Sequence, residues 1–216
     1  MEKLLCPSMM CANFGNLEQE VRELEEAGID IFHLDVMDGQ FVPNFGMGLQ
    51  DITYVCRQAS VPVDVHLMIE NPGNYVELYI SLGARILYVH PESEVHVTRT
   101  LQKIRDKGAE AGIAVNPGTA VATIKPLLPF VSYVMVMGVN PGFAGQSYLD
   151  PVNEKIEELV GLKTQYGFRL MLDGACSPER IARLNQVGVD GFVLGTSALF
   201  GEKDTYREII LRLREL

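Results

Sequence analysis

Short apolar runs alternate with amphipathic stretches along the whole chain. The apolar runs are Leu4–Met9, Ile31–Val36, Val63–Met68, Ile86–Val89, Gly112–Val115, Tyr133–Val139, Arg169–Leu172 and Gly191–Leu194. They are rich in Val, Ile and Leu and mostly continuous rather than alternating, which is how parallel strands covered on both faces read. Between them, Asn16–Ala27 carries Leu17, Val21 and Leu24 at helical spacing and stops at Gly28. Pro72–Leu82, Val95–Lys107, Asn153–Tyr166 and Pro178–Val187 are each followed by a glycine, and Thr205–Leu216 is the last helix. Weaker helices are expected over Gly48–Ala59 and Ala120–Leu127, the second limited by Pro126.

These segments make eight strand–helix pairs. Parallel strands need right-handed helical crossovers, and eight such units close into a single (β/α)8 TIM barrel. An open doubly wound sheet is the alternative. Eight units in 216 residues, with no linker, low-complexity tract or charge block, favour closure in one domain spanning 1–216.

Composition narrows the function. The formal net charge is −10 and no basic stripe is visible, which argues against a nucleic-acid partner. An anionic substrate must then be held by backbone donors rather than by a positive surface. No apolar run approaches the roughly 20 residues of a membrane span, and Met1-Glu2-Lys3-Leu4-Leu5-Cys6 lacks the apolar core of a secretory signal. A cytoplasmic protein with no membrane partner is expected. Cys6, Cys11, Cys56 and Cys176 form no CxxC pair, and Cys6 and Cys11 flank the first strand, so reduced thiols are expected.

The segment His33-Leu34-Asp35-Val36-Met37-Asp38-Gly39 ends an apolar run, as do Asp64-Val65-His66-Leu67-Met68 and Leu172-Asp173-Gly174. In a barrel, catalytic groups gather at the C-terminal strand ends. His33 and Asp35 are two apart on one strand and point to the same side, whereas Asp38 falls beyond it. His66 closes the third strand and Asp173 the seventh. Singly, each of these reads as a hydrogen-bonded rim residue. Four of them from three strand ends offer two imidazoles and two carboxylates to one divalent ion, a set that suits Zn²⁺, Fe²⁺, Mn²⁺ or Co²⁺ better than Ca²⁺ or Mg²⁺. His90-Pro91-Glu92 follows the fourth strand, either as a rim turn or as an outer partner of the site, and His96 is expected on a helix facing solvent.

A second constellation reads as a phosphate site. Asn140-Pro141-Gly142-Phe143-Ala144-Gly145-Gln146 follows the sixth strand and Gly174-Ala175 the seventh. Gly195-Thr196-Ser197 follows the eighth and is expected to open a short helix. Small residues let backbone N–H groups approach an anion, and this barrel commonly places a phosphate after its last strands. No Lys lies inside an expected strand, so a Schiff-base aldolase is disfavoured. No Asp-x-Lys-x-x-Asp arrangement, GxSxG elbow or Walker loop is present.

With these motifs in view, the chain resembles the ribulose-phosphate 3-epimerase family over essentially its whole length. The resemblance rests on Pro7-Ser8, HLDVMDGQFVPN at 33–44, DVHLM at 64–68, NPGFAGQ at 140–146, DG at 173–174 and GTSALF at 195–200. It implies one divalent transition metal on His33, Asp35, His66 and Asp173, with Asp35 and Asp173 as the acid/base pair. It implies substrate contacts from Ser8, His66, Gly142, Phe143, Ala144, Gly145, Gly174, Ala175, Gly195 and Thr196, with Met37 and Met68 lining the site. The implied reaction inverts C3 of a phosphorylated ketose through a cis-enediolate, in a homo-oligomer.

Pro7-Ser8-Met9-Met10-Cys11, His90-Pro91-Glu92, Asp173-Gly174-Ala175-Cys176 and Gly195-Thr196-Ser197 are more similar to the allulose-6-phosphate 3-epimerase branch. The expected substrate is therefore D-allulose 6-phosphate, with D-ribulose 5-phosphate as the alternative. A metal-dependent ketose-phosphate aldolase and a non-catalytic phosphosugar-binding barrel are the readings from other classes. The second is disfavoured because both carboxylates are present.

Overall fold

The computed structural model describes residues 3–216; Met1 and Glu2, part of the stretch read above for a leader, lie outside the described residues. Eight parallel strands run β1 Leu4–Pro7, β2 Phe32–Met37, β3 Val63–Met68, β4 Ile86–Val89, β5 Glu110–Val115, β6 Tyr133–Met137, β7 Arg169–Asp173 and β8 Gly191–Leu194. The helices that alternate with them are α1 Leu17–Ala27, α2 Leu49–Gln58, α3 Val76–Leu82, α4 Val97–Asp106, α5 Val121–Ile124, α6 Val152–Tyr166, α7 Pro178–Val187 and α8 Tyr206–Glu215. Strand pairing runs in the order β1-β8-β7-β6-β5-β4-β3-β2, and a parallel bridge between Ser8 and His33 joins the two ends. The result is a TIM barrel. Among the described residues no helix is long and apolar enough to cross a membrane.

The strands read as continuously apolar because each face meets a different core. Leu34, Val36, Val65, Leu67, Leu87, Ile113, Val134, Leu170 and Phe192 pack outward against the helices in one large cluster. Cys6, Ile86, Tyr88, Ala114, Met135, Met171 and Val193 fill the barrel interior. Large and small side chains alternate there, as packing at crystal-like density requires. A Cβ on Gly112 would stand 2.5 Å from the Tyr88 ring, so the glycine makes the space that the buried tyrosine occupies.

Side chains alternate across a strand, and this sets what points inward. Along β2 the inward series is His33, Asp35 and Met37; along β3 it is Asp64, His66 and Met68. Strand β7 contributes Met171 and then Asp173. The polar members thus form a layer above the apolar interior, at the C-terminal mouth.

Several local expectations are corrected. β1 ends at Pro7 rather than Met9, because Met9–Cys11 turns into a 3-10 segment. Cys6 lies within β1, facing the interior, instead of flanking it. His66 sits inside β3, which Met68 closes. His96 is exposed as expected, but it caps the start of α4 rather than lying in the helix. The stretch over 120–127 gives only the single turn of α5 and then a 3-10 run, Lys125–Phe130. Pro126 and Pro129 lack the N–H that a continuing α-helix needs. No short helix opens after β8: the N–H groups of Ala198, Leu199 and Phe200 all converge on the Gly195 carbonyl. A shared acceptor cannot propagate an i→i−4 ladder, and Gly201 in a left-handed conformation (φ 84°) ends the turn.

Candidate active site

Four side chains meet at the floor of the mouth. The donor atoms of His33, Asp35, His66 and Asp173 all lie within 4.8 Å of one another. His33 Nε2 and His66 Nδ1 each stand 3.3 Å from Asp35 Oδ1, and His66 Nδ1 stands 3.6 Å from Asp173 Oδ2. Two ligands each about 2.1 Å from an ion at tetrahedral angles stand about 3.4 Å apart, so these spacings fit a divalent transition metal. The ring nitrogens agree. His33 Nε2 and His66 Nδ1 are buried without a hydrogen-bond partner, and both face the carboxylates.

Each imidazole is fixed from behind. His33 Nδ1 lies 2.6 Å from Asp64 Oδ1, on the neighbouring strand in register. His66 Nε2 lies 2.8 Å from His90 Nε2. Both outer residues are fully buried. His90-Pro91-Glu92 is therefore an outer partner of the site and not merely a rim turn. Asp64 was absent from the sequence-based set. Its signal was present: a carboxylate two residues before His66, on the inward face of an otherwise apolar strand.

The electrostatics separate the two mouth carboxylates. Burial pushes the Asp35 carboxyl up, but the His33 charge, with the His33 and His66 rings set close beside Oδ1, outweighs it and holds Asp35 well below the usual carboxylate range. The Ser8 hydroxyl donates to Asp35 Oδ2 at 2.6 Å, consistent with an ionised acceptor. Burial also raises Asp173; the His33 charge opposes this and the Asp35 charge adds to it, so that its pKa ends above the ordinary value. Burial works against a charged His33, yet Asp64 and Asp35 on either side hold its pKa well above the histidine range.

Above this floor opens a cleft of about 560 Å³, open solvent included. Its lining includes Ser8, Asp35, Met37, Met68, Asp173, Gly142, Phe143, Ala144, Gly145, Gly174, Ala175, Gly195 and Thr196. His66 is fully buried and does not line it, and its Nε2 is directed at His90. Cys176 does line it, though its thiol is buried and directed at the Leu172 carbonyl. Met37 and Met68 pack together with Val42 as an apolar wall.

The loops are braced by their own side chains. Asp38 accepts from the N–H groups of Gln40, Phe41 and Glu70, which shapes the loop after β2. From that loop Asn44 Nδ2 donates to the Gly142 carbonyl at 2.7 Å, across the mouth. Gln146 Nε2 donates to the carbonyls of Asn140 and Phe143. Carbonyls are thereby tied down, while the N–H groups of Gly142, Phe143, Ala144 and Gly145 make no hydrogen bond among the described residues. After β7, Gly174 and Ala175 both take positive φ. The Arg180 guanidinium holds the Ala175 carbonyl and stacks 3.9 Å from the Tyr148 ring.

A sequence model described as the ribulose-phosphate 3 epimerase family matches residues 4–200. The chain belongs to the ribulose-phosphate 3-epimerase family. It is 38% identical over 204 residues to the ribulose-phosphate 3-epimerase of Aquifex aeolicus (strain VF5), covering 94% of this chain and 91% of that one. It is 42% identical over 202 residues to the enzyme of that name from Helicobacter pylori (strain J99), covering 93% and 92%. Among solved structures, the 3-keto-L-gulonate-6-phosphate decarboxylase of Vibrio cholerae superposes with a TM-score of 0.74, covering 100% of this chain and 97% of that one. At 14% identity this likeness speaks for the fold alone. Membership makes the protein an isomerase, a C3 epimerase of phosphorylated ketoses with a divalent-metal requirement.

Proposed function

We propose that the chain interconverts D-ribulose 5-phosphate and D-xylulose 5-phosphate, with Asp35 and Asp173 moving the proton at C3. The observation that carries this is the pair itself. Carboxylates from β2 and β7 reach one cleft floor, with pKa values driven in opposite directions. Such a split suits a base and an acid working in one turnover. Asp35, held ionised, takes the proton from C3. Asp173, whose pKa burial and the Asp35 charge raise, delivers one to the opposite face of the planar enediolate, and the roles exchange in the reverse direction.

His33, Asp35, His66 and Asp173 hold the metal, of the Zn²⁺, Fe²⁺, Mn²⁺ or Co²⁺ class. When bound, it supplies Lewis acidity that stabilises negative charge on the C2 and C3 oxygens. Ser8 keeps Asp35 oriented. Met37 and Met68 give polarizable walls that keep water from the reacting carbon. The N–H groups of 142–145, with those of Gly174-Ala175 and Gly195-Thr196, bind the phosphate.

The five-carbon ester replaces the six-carbon one expected from the loops at 173–176 and 195–197. The relatives named above, alike over nine-tenths of their length, carry the ribulose-phosphate name. We read Ala175, Cys176 and Thr196 as variation within one phosphate wall. A homo-oligomer in the cytoplasm completes the reading, and sedimentation as a monomer at all concentrations would remove that part.

The test sets D-ribulose 5-phosphate, D-allulose 6-phosphate and the free ketoses side by side in deuterated water, with C3 exchange followed by NMR. Higher kcat/KM for the five-carbon ester, poor use of free sugars and loss of exchange on chelation are expected. Preference for the six-carbon ester would reverse the substrate assignment. No C3 exchange with either ester would sink the epimerase reading.

A further inference from the structure

We infer that His90, backed by Glu92, is a positioning residue that fixes His66 in the tautomer offering a bare Nδ1 to the metal. The inference rests on reading His33, Asp35, His66 and Asp173 as the divalent-cation site.

The geometry leaves one arrangement of protons. His66 Nε2 and His90 Nε2 face each other at 2.8 Å. Two N–H groups cannot point at each other across that distance, and two lone pairs would repel, so the pair shares a single proton. A cation on His66 takes the lone pair of Nδ1, and a neutral imidazole then carries its proton on Nε2. His66 must therefore donate and His90 Nε2 must accept. A neutral His90 accepting at Nε2 holds its own proton on Nδ1. That atom is buried, has no hydrogen-bond partner, and lies 3.6 Å from Glu92 Oε2.

The chain of contacts is anchored at its far end. Glu92 Oε1 accepts from the Asn116 N–H at 3.0 Å and from the Thr119 hydroxyl, both in the loop after β5. His90 is held between partners on its two sides. Its ring stacks on His66 with centroids 5.0 Å apart and meets Phe41 at 4.8 Å. The two metal-facing imidazoles are thus set by different devices. Asp64 orders His33 as an anionic acceptor, and His90 orders His66 as a neutral one. A neutral acceptor behind His66 adds no further negative charge to Asp35, Asp64 and Asp173 around the cation site.

The test compares wild type, His90→Leu and His90→Gln. Each is stripped of metal and titrated with Zn²⁺ against a chromophoric chelator, with thermal melting as the check of fold. Loss of an outer partner typically weakens metal binding about 10–100-fold. His90→Leu is expected to show a loss in that range, and His90→Gln, whose amide oxygen can accept the His66 proton, to recover most of it. Nitrogen-15 histidine NMR of the Zn²⁺-loaded wild type gives a second, variant-free readout: the proton on Nε2 of His66 and on Nδ1 of His90. Wild-type affinity in a folded His90→Leu, or a His90 proton on Nε2, would overturn the inference. Neither readout uses a sugar. A chain with the predicted tautomers but no C3 exchange would lose only the epimerase reading. One that epimerises with affinity indifferent to His90 would lose only this one.

Discussion

His33 and Asp64 are Cα partners across the β2–β3 ladder, and the ring Nδ1 meets the carboxylate at 2.6 Å. Neither is exposed to water. The pair turns His33 so that Nε2 faces Asp35. Removing the carboxylate leaves a buried N–H without an acceptor, which costs about 1–3 kcal/mol. Asp64→Ala is expected to lose stability in that range and to weaken metal binding about 10–100-fold. Urea unfolding and chelator competition measure the two effects. Unchanged metal affinity would show that Asp64 does not orient the ligand.

Asp35 and Asp173 should differ in what their amides do to the fold. Burial and the Asp35 charge raise the Asp173 pKa, so the fold gains nothing from its negative charge and Asp173→Asn is expected to melt close to wild type. Its turnover is expected to fall by at least about 10²–10⁴. Asp35 is ionised between His33, His66 and the Ser8 hydroxyl, so Asp35→Asn removes charge that those groups need and is expected to lower the melting temperature as well. Near-wild-type turnover in Asp173→Asn would rule out the two-carboxylate mechanism.

Gly112 tests the packing of the barrel interior. An added Cβ would meet Tyr88 Cδ1 at 2.5 Å, and that ring is buried on all sides. Overpacking of this kind costs roughly 1–3 kcal/mol. Gly112→Ala should show that loss in urea unfolding without a change in substrate KM, since the site lies a layer above. A neutral effect would mean that Tyr88 has room to move.

Glu92 gives a pH signature. Burial pushes its carboxyl up, but the His90 ring 3.6 Å away and the hydrogen bond from Thr119 outweigh this and hold it at about 2, below the ordinary 4.5. A depressed carboxylate contributes stability above the unfolded value, and the contribution is lost as pH falls from 4.5 towards 2. The stability gap between wild type and Glu92→Gln should be widest at neutral pH and narrow below pH 4.5. Denaturant titrations across pH 7 to 3 measure it. A gap constant with pH would locate the effect in packing rather than in the ionised carboxylate.

The sequence by itself determined the barrel and the direction of its key side chains. Eight apolar runs separated by glycine-stopped helices leave little choice of architecture. The two-residue period places His33 with Asp35 on the inward face of β2, whatever the partner strand. Residues beside the motifs behaved differently. Asp64 and His90 are visible as polar residues in or just after apolar strands, but nothing local shows which imidazole each of them backs. The expected helix after Gly195 proved to be a turn gathered on one carbonyl. Those outcomes depend on register between strands, which closure of the whole barrel sets through the packing of Tyr88, Met171 and their neighbours. The opposite pKa shifts of Asp35 and Asp173 have the same origin. Two identical carboxylates acquire different chemistry only when burial and the positions of His33, His66 and Ser8 are fixed, and tertiary structure alone fixes them.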